Sequence, residues 1–190
     1  MYKKMKNNLK VRDITNIGLA VALMVAGAAI SLPIGPVPIS LQSLFALLTG
    51  IVFGKKLAPV AMMVYIAAGL FGLPFFAGLK GGPQYVVSPT FGFIIAFILA
   101  TFIAGLGNES KSKLKRYISL IIATVVIYAL GSVYFYIIQR FYLGKTYELF
   151  DILKLTVIPF LIGDFVKLNI AYIVGGRLRN VLMANRLVTE

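Results

Sequence analysis

The chain has 190 residues, of which 59% are hydrophobic and 13% are charged, and its mean hydropathy is +0.91. This composition is typical of a polytopic helical membrane protein, and the length suits one membrane domain, residues 1–190, without a soluble catalytic module. The sequence has no cysteine and no histidine, which excludes disulfides, thiolate or histidine catalysis and Cys/His metal sites.

Two nucleotide-binding motifs are also missing from the sequence. It contains neither a G-x-x-x-x-G-K phosphate loop nor a G-x-G-x-x-G turn, so it does not bind and hydrolyse ATP by those routes. A formal net charge of +13 would indicate nucleic acid in a soluble protein, but here the basic residues flank apolar runs, as the positive-inside rule describes. We therefore expect membrane lipid as a partner, no nucleic acid and no cofactor.

Apolar runs predict an all-α integral membrane protein with six transmembrane helices. The runs cover residues 14–32, 39–54, 57–77, 89–106, 117–139 and 152–174. An even number of spans places both termini on one side, and the basic residues choose the cytoplasm. Fourteen of the 19 lysine and arginine residues would be cytoplasmic: Lys3, Lys4, Lys6, Lys10, Arg12, Lys55, Lys56, Lys111, Lys113, Lys115, Arg116, Arg177, Arg179 and Arg186.

The first predicted helix carries a stripe of small residues. Gly18, Ala22 and Ala26 recur every four positions, and Ala29 follows three further on. In lipid such a stripe lets helix backbones approach closely. It would pack either against another helix of the same bundle or against a partner. The basic start and the Ala26-x-Ala28 pattern also imitate a signal peptide with its cleavage site.

Local signals mark several helix ends. Asp13 is a candidate N-cap for the first helix and Ser88 for the fourth, where Pro89 would occupy the first helical position. Pro59 would open the third helix. Pro159 falls inside the last predicted helix, where it removes a backbone donor and predicts a bend.

Two predicted outer connections combine glycine, proline and uncharged polar groups. One is Gly35-Pro36-Val37-Pro38-Ile39-Ser40-Leu41-Gln42, and the other runs from Leu79 through Tyr85 to Ser88-Pro89-Thr90. Glycine lets backbone N–H groups approach a ligand closely. Ordinary turn chemistry is the alternative, but convergence with the last helix on one face of a bundle favours a binding cavity. The candidate ligand-binding residues of these segments are Ser40, Gln42, Gly81, Gly82, Gln84, Tyr85 and Ser88.

Asp164 and Lys167 lie inside the last apolar run. A charged side chain near the bilayer centre costs about 2.5–3.5 kcal/mol, so such residues face a polar cavity or one another. At a spacing of three they share a helix face and can neutralise each other. A structural ion pair is one interpretation, and a binding site is the other. Because bulky apolar residues would pack a bundle at less cost, the pair favours a binding function.

The pair offers both hydrogen-bond acceptors and donors to a ligand. An ionised Asp164 accepts, and Lys167 donates up to three bonds. A ligand with N–H donors and a carbonyl acceptor, such as a cyclic urea, could satisfy both residues without carrying a charge at that end. The outer loops would supply donors for a carboxylate.

Four motifs resemble the BioY family, the biotin-binding S components of energy-coupling factor (ECF) vitamin transporters. They are Gly35-x-Val37-Pro38-x-Ser40-x-Gln42, Gly72-Leu73-Pro74-x-Phe76-Ala77-Gly78, Gly81-Gly82 with Ser88-Pro89-Thr90-x-Gly92, and Pro159-Phe160-x-x-Gly163-Asp164-x-x-Lys167. Together they span most of the chain. Many relatives carry threonine where this sequence has Ser40, and the hydroxyl is kept.

The resemblance implies a vitamin-binding subunit of a bacterial plasma membrane that works with a transmembrane coupling subunit and two cytoplasmic ATPases. It also implies that Asp164 and Lys167 belong to a biotin site closed by the outer loops, and that the small-residue face of the first helix docks on the coupling subunit. Besides a structural or chaperone-like membrane protein, two other functions stay open. A stand-alone proton-coupled carrier would use Asp164 as its titrating group, although no inverted repeat is visible. A membrane enzyme would find few catalytic groups here.

Overall fold

The structure, a computed structural model, describes residues 10–110 and 112–185. Over these residues the chain is mostly helical, with one two-stranded antiparallel pairing of β1 (Ser31–Leu32) with β2 (Ile39–Ser40). The six α-helices are α1 (Val11–Ala29), α2 (Gln42–Leu70), α3 (Phe91–Asn108), α4 (Lys113–Ile137), α5 (Leu149–Thr156) and α6 (Leu161–Ala184). Of the basic residues predicted to be cytoplasmic, Lys3, Lys4, Lys6, Lys111 and Arg186 lie outside the described residues.

Helix α2 reverses direction at Gly54, where the backbone has φ +76° and ψ 177°. A straight helix would separate Gln42 and Tyr65 by roughly 34 Å, yet the Gln42 amide donates a 2.8 Å hydrogen bond to the Tyr65 hydroxyl. The two halves therefore run antiparallel, and the sequence prediction of two helices meeting between residues 54 and 57 is confirmed. Glycine suits this position because it adopts a positive φ without a steric penalty.

Several predicted helix ends are wrong. The first helix was expected to reach residue 32, which belongs to β1. The second was expected to start at residue 39, which belongs to β2. Helix α2 ends at Leu70 rather than at residue 77, because the chain turns back through an isolated bridge between Phe76 and Lys80. Helix α4 starts at Lys113, earlier than predicted, and ends in one turn of π-helix, Ile138–Tyr142.

Three of the predicted helix starts also need correction. Lys10 is the N-cap of α1, and Asp13 lies three residues later, where its carboxylate accepts a hydrogen bond from the Lys10 backbone N–H at 3.1 Å. Thr90, not Ser88, precedes α3, because Ser88 instead ends a short 3₁₀-helix, Pro83–Val87. Pro59 lies inside α2, five residues past the reversal, and does not open a helix.

The predicted bend at Pro159 is confirmed and is a full break. Residues 152–174, expected as one helix, are divided among α5, a 3₁₀ turn at Ile158–Phe160, and α6. The break brings the start of α6 to the level of the start of α2. It therefore places the first turn of α6, with Asp164, beside Ser43.

Helix α2 is the centre of the bundle and packs against α1, α3 and α6, while α4 packs against the other side of α3. Within the described residues, three helices are long and apolar enough to cross a membrane, namely Val11–Ala29, Gln42–Leu70 and Lys113–Tyr142, and Phe91–Gly107 is a shorter apolar helix. Many large apolar side chains on the outside of the bundle are exposed, as expected of a surface that faces lipid.

Candidate binding site

Asp164 and Lys167 form a buried ion pair. The Lys167 ammonium donates to Asp164 Oδ1 at 2.8 Å, and the two residues are 7% and 9% exposed. Asp164 occupies the first turn of α6, where the helix dipole favours a negative charge. The sequence prediction that these side chains meet on one helix face is confirmed.

Residues of β2, α2 and α4 add further hydrogen bonds to the pair. Ser43 Oγ donates to Asp164 Oδ1 at 3.0 Å, and the Tyr128 hydroxyl donates to Oδ2 at 2.7 Å. Lys167 also donates to the backbone carbonyl of Ser40 at 2.7 Å and, at a longer 3.4 Å, to Ser43 Oγ. All three ammonium protons therefore have partners, whereas Asp164 Oδ2 accepts a single bond from the described residues and retains capacity for another donor.

A second polar chain fixes the entry to α2. Ser40 Oγ donates to Gln42 Oε1 at 3.1 Å, the Gln42 amide donates to Tyr65, and Tyr65 donates to the Phe75 carbonyl at 2.6 Å. Gln42 and Tyr65 are both buried. Buried polar groups are costly unless they are hydrogen-bonded. This series of hydrogen bonds therefore holds the loop after α2 against the start of α2.

The ion pair lies at one side of a cavity with about 580 Å³ of empty space, counting its open mouth. The walls combine apolar and aromatic groups with hydroxyls and the two charges, the composition typical of a small-molecule site. The lining residues are Val37, Pro38, Ser40, Gln42, Ser43, Ala77, Tyr85, Thr90, Phe93, Ile94, Phe97, Ile127, Tyr128, Thr156, Phe160, Asp164 and Lys167.

Five of the nine predicted ligand-binding residues line this cavity and four do not. Ser40, Gln42, Tyr85, Asp164 and Lys167 converge there. The remaining four belong to the loop beside it, where Gly81 packs on the Leu73 carbonyl and the Gly82 N–H donates to the Gly69 carbonyl at 2.8 Å. The Gln84 amide donates to the Gly81 carbonyl, and Ser88 Oγ lies 3.0 Å from Thr90 Oγ1.

Tyr85 is the aromatic contribution of that loop to the cavity. Its ring packs against Phe76 and Phe91, and its hydroxyl lies 3.2 Å from Thr90 Oγ1. Burial raises the pKa of the Tyr85 hydroxyl, and the hydrogen bonds with Thr90 and Ser88 only partly oppose that shift. The group therefore stays protonated and available as a donor at neutral pH.

The small-residue stripe of α1 faces away from the bundle. Gly18, Ala22, Ala26 and Ala29 are exposed, whereas Ala20 and Met24 on the opposite face are fully buried against the core. A Cβ added at Gly18 would meet nothing within 4 Å. The stripe is therefore not used for packing among the described residues, which removes one of its two interpretations.

Known proteins with similar sequences and folds agree with this architecture. The BioY family model matches residues 3–184. The probable biotin transporter BioY of Pyrococcus horikoshii is 39% identical over 172 residues, which cover 90% of this chain and 98% of that protein. The biotin transporter BioY of Thermotoga maritima is 37% identical over 172 residues, with the same coverage.

A crystal structure described as the S-component for biotin from an ECF-type ABC transporter has the same fold, with a TM-score of 0.79, 24% identity, and coverage of 93% of this chain and 95% of that one. The long apolar helices indicate a membrane protein, and the arrangement of the bundle around the cavity is that of an S-component fold. The chain belongs to the BioY family, a family of transporters rather than of enzymes.

Proposed function

We propose that this protein is the high-affinity biotin-binding subunit of an ATP-driven ECF importer and that it captures biotin in the cavity beside Asp164. The main observation in support is the buried ion pair at the wall of a mostly apolar cavity, where Ser43 and Tyr128 donate hydrogen bonds to Asp164. Relatives named as biotin transporters support the choice of ligand. The loops that contribute Val37, Ala77 and Tyr85 close over biotin once it is bound.

The ureido ring of biotin matches the hydrogen bonds that the pair has left to make. One ring N–H reaches Asp164 Oδ2, which among the described residues accepts only from Tyr128. The ring carbonyl accepts from Lys167 in place of Ser43, whose 3.4 Å contact is the longest of the three ammonium contacts. Phe93, Phe97 and Ile127 pack on the thioether ring and the aliphatic chain. Biotin binding thus replaces the long Lys167–Ser43 hydrogen bond with two stronger ones, one to Asp164 and one from Lys167.

The chain crosses the plasma membrane six times in this proposal, with both termini in the cytoplasm. The crossings are α1, the two halves of α2 on either side of Gly54, α3, α4, and α6 with α5 preceding it. The binding cavity lies at the starts of α2, α3 and α6, and the basic residues Lys113, Arg116 and Arg177 lie together at the opposite end. Positive-inside orientation then makes the cavity face outward.

Transport in this proposal depends on a transmembrane coupling subunit and two cytoplasmic ATPase subunits. The sequence has no motif for binding and hydrolysing ATP by the routes noted above, so the energy comes from a partner. The exposed face formed by Gly18, Ala22 and Ala26 suits docking on a helix of that coupling subunit, because small side chains allow close backbone contact in lipid.

Isothermal titration of the purified protein with biotin tests the proposal. The Asp164→Asn substitution should weaken biotin binding at least tenfold, because it removes an acceptor and leaves the Lys167 charge uncompensated, a change that typically costs ~3–5 kcal/mol for a buried pair. Asp151→Asn is the matched control, since Asp151 is exposed on α5, and it should leave the affinity unchanged. If Asp164→Asn and the unmodified protein bind biotin with equal affinity, the ion pair stabilises the bundle and does not bind biotin.

A further inference from the structure

A second cavity lies at the end of the bundle opposite the biotin cavity. It opens between the start of α4 and the second half of α6, with α2 and α3 as its floor, and has about 1120 Å³ of empty space, counting its open mouth. We call it the basic crevice. Its lining residues are Ile51, Ala104, Lys113, Arg116, Leu120, Tyr172, Ile173, Gly176, Arg177 and Asn180.

Three of the lining residues, Lys113, Arg116 and Arg177, are cations, and none is acidic. The chain has six acidic residues in total. Two are engaged elsewhere, since Asp164 pairs with Lys167 and Glu109 pairs with Lys55 at 2.8 Å. The other four are Asp13 at the start of α1, Glu148 and Asp151 at the start of α5, and Glu190 outside the described residues. Within the described part of the chain, no acidic residue therefore lies in the walls of the crevice to balance its positive charge.

Arg116 shows an unmet hydrogen bond inside this crevice. Its Nε atom is shielded from solvent and makes no hydrogen bond to any of the described residues. A buried donor without a partner costs free energy, and the planar guanidinium is suited to bidentate contact with a phosphate. The Asn180 amide offers a further donor nearby. These groups together match an anion that carries several oxygen acceptors.

The remaining walls of the crevice are apolar and continue onto the outer surface. Ile51 and Leu120 are buried at the floor, whereas Ile173 is 53% exposed at the side. Ile170, one turn before Ile173 on the same face of α6, is 41% exposed. A ligand with a charged head and apolar chains would match both parts of the crevice, whereas a free inorganic anion would use only the basic part.

We propose that the basic crevice binds the phosphate headgroup of an anionic phospholipid from the surrounding bilayer. Lys113, Arg116 and Arg177 hold the phosphate, and the acyl chains lie along Ile173 and Ile170. Basic pockets between membrane helices are known to select anionic headgroups by this combination of charge and apolar surface. The site is separate from the biotin cavity and does not depend on what that cavity binds.

Quenching of a single tryptophan tests the proposal, because the chain has none of its own. The full-length Ile173→Trp protein is reconstituted into phosphatidylcholine vesicles that contain an equal fraction of brominated phosphatidylglycerol or brominated phosphatidylcholine. We expect stronger quenching by the brominated phosphatidylglycerol. The matched reporter is Val133→Trp, at a position on α4 that is 57% exposed and away from the crevice, and it should be quenched equally by both lipids.

Charge removal identifies the groups that cause the preference. Adding Arg116→Gln and Arg177→Gln to the Ile173→Trp protein should lower the relative affinity for phosphatidylglycerol by about 25-fold, since each basic residue near an anionic surface contributes roughly fivefold. Arg140→Gln with Lys145→Gln removes the same charge from exposed positions far from the crevice and should leave the preference unchanged. Monodisperse elution in detergent verifies that each variant is folded.

Three results would overturn the proposal. The first is equal quenching of the Ile173→Trp protein by both brominated lipids. The second is a preference that survives the Arg116→Gln and Arg177→Gln substitutions. The third is loss of the preference on addition of inorganic phosphate or a glutamate-rich peptide but not of chloride at the same ionic strength, which would assign the crevice to a soluble anion or an acidic protein segment.

Discussion

The carboxylate of Asp164 depends on a donor from a different helix for each of its oxygens. Within the part of the chain that the structure describes, Oδ2 accepts only from Tyr128, at 2.7 Å. Tyr128→Phe should therefore lower the free energy of unfolding of the empty protein by about 1–3 kcal/mol, the cost of a buried acceptor that loses its partner. Saturating biotin should recover part of this loss, because its ring N–H reaches the same oxygen in the proposed complex. Thermal unfolding with and without biotin measures both effects.

Tyr117→Phe on the same helix is the matched control for this experiment. The Tyr117 hydroxyl donates to Asn169 at 3.3 Å, and neither residue lines the biotin cavity. Tyr117→Phe should lower the free energy of unfolding by less than Tyr128→Phe does. Its difference from the unmodified protein should be the same with and without biotin. If both variants lose stability equally and biotin restores neither, the Tyr128 bond is ordinary interhelical packing.

The sequence identifies site residues that carry a charge inside an apolar span or lie in or next to a glycine- and proline-rich loop, such as Ser40 and Gln42, but it misses hydroxyls within apolar helices. Asp164 and Lys167 stand out because a charge inside an apolar span needs a special reason. Ser43 and Tyr128 donate to the same carboxylate, but a lone hydroxyl is tolerated in a membrane helix without a ligand. Nothing in their spacing indicates a site, and only the crossing of α2, α4 and α6 brings them together.

At the scale of elements, the loop after α2 is fastened to that helix by a close backbone contact. A Cβ at Gly81 would overlap the Leu73 carbonyl and come within 3.1 Å of the Gly69 carbonyl. Gly81→Ala should therefore displace the loop and lower the free energy of unfolding by about 1–3 kcal/mol, as overpacking does. It should also weaken biotin binding, because the loop carries Ala77 and Tyr85 into the cavity. Thermal unfolding and biotin titration measure the two effects.

Gly163→Ala supplies the comparison for this prediction. Gly163 is an exposed helical residue, and a Cβ there would meet nothing within 4 Å. Alanine is favoured over glycine in a helix, so this variant should be at least as stable as the unmodified protein. Equal unfolding temperatures of Gly81→Ala and Gly163→Ala would mean that the loop adapts to the extra methyl group.

Long apolar runs predicted most helices, while the short structures between them were missed. The pairing of β1 with β2 covers two residues on each strand, too few for an alternating pattern to appear. The loop between Leu70 and Pro83 is itself apolar, with Phe76 fully buried, so hydropathy extended the predicted third helix through it. The break at Pro159 was signalled because proline removes a backbone donor.

At the scale of the whole molecule, the two faces of α1 differ in a way that the sequence alone left open. Both Ala20 and Ala22 are small, but Ala20 is fully buried and Ala22 is exposed. Spacing identified the stripe, and only the packing of α1 on α2 shows that it points away from the bundle. In the proposed importer the energy comes from a partner, so the exposed stripe is the surface that we propose for docking of the coupling subunit.

Ala22→Trp should therefore abolish biotin uptake by the assembled transporter and leave equilibrium biotin binding to the isolated subunit nearly unchanged. The indole would hold the coupling subunit away from α1, since close helix contact in lipid requires small side chains, but it would touch nothing inside the bundle. Ala20→Trp provides the contrast, because a large ring at a fully buried position should disrupt the fold and reduce uptake and binding together. Uptake assays in cells that carry the coupling and ATPase subunits, together with titration of each purified variant, separate the two effects. Normal uptake by Ala22→Trp would place the docking surface elsewhere, and a joint loss of uptake and binding would show that the stripe supports the fold of the subunit itself.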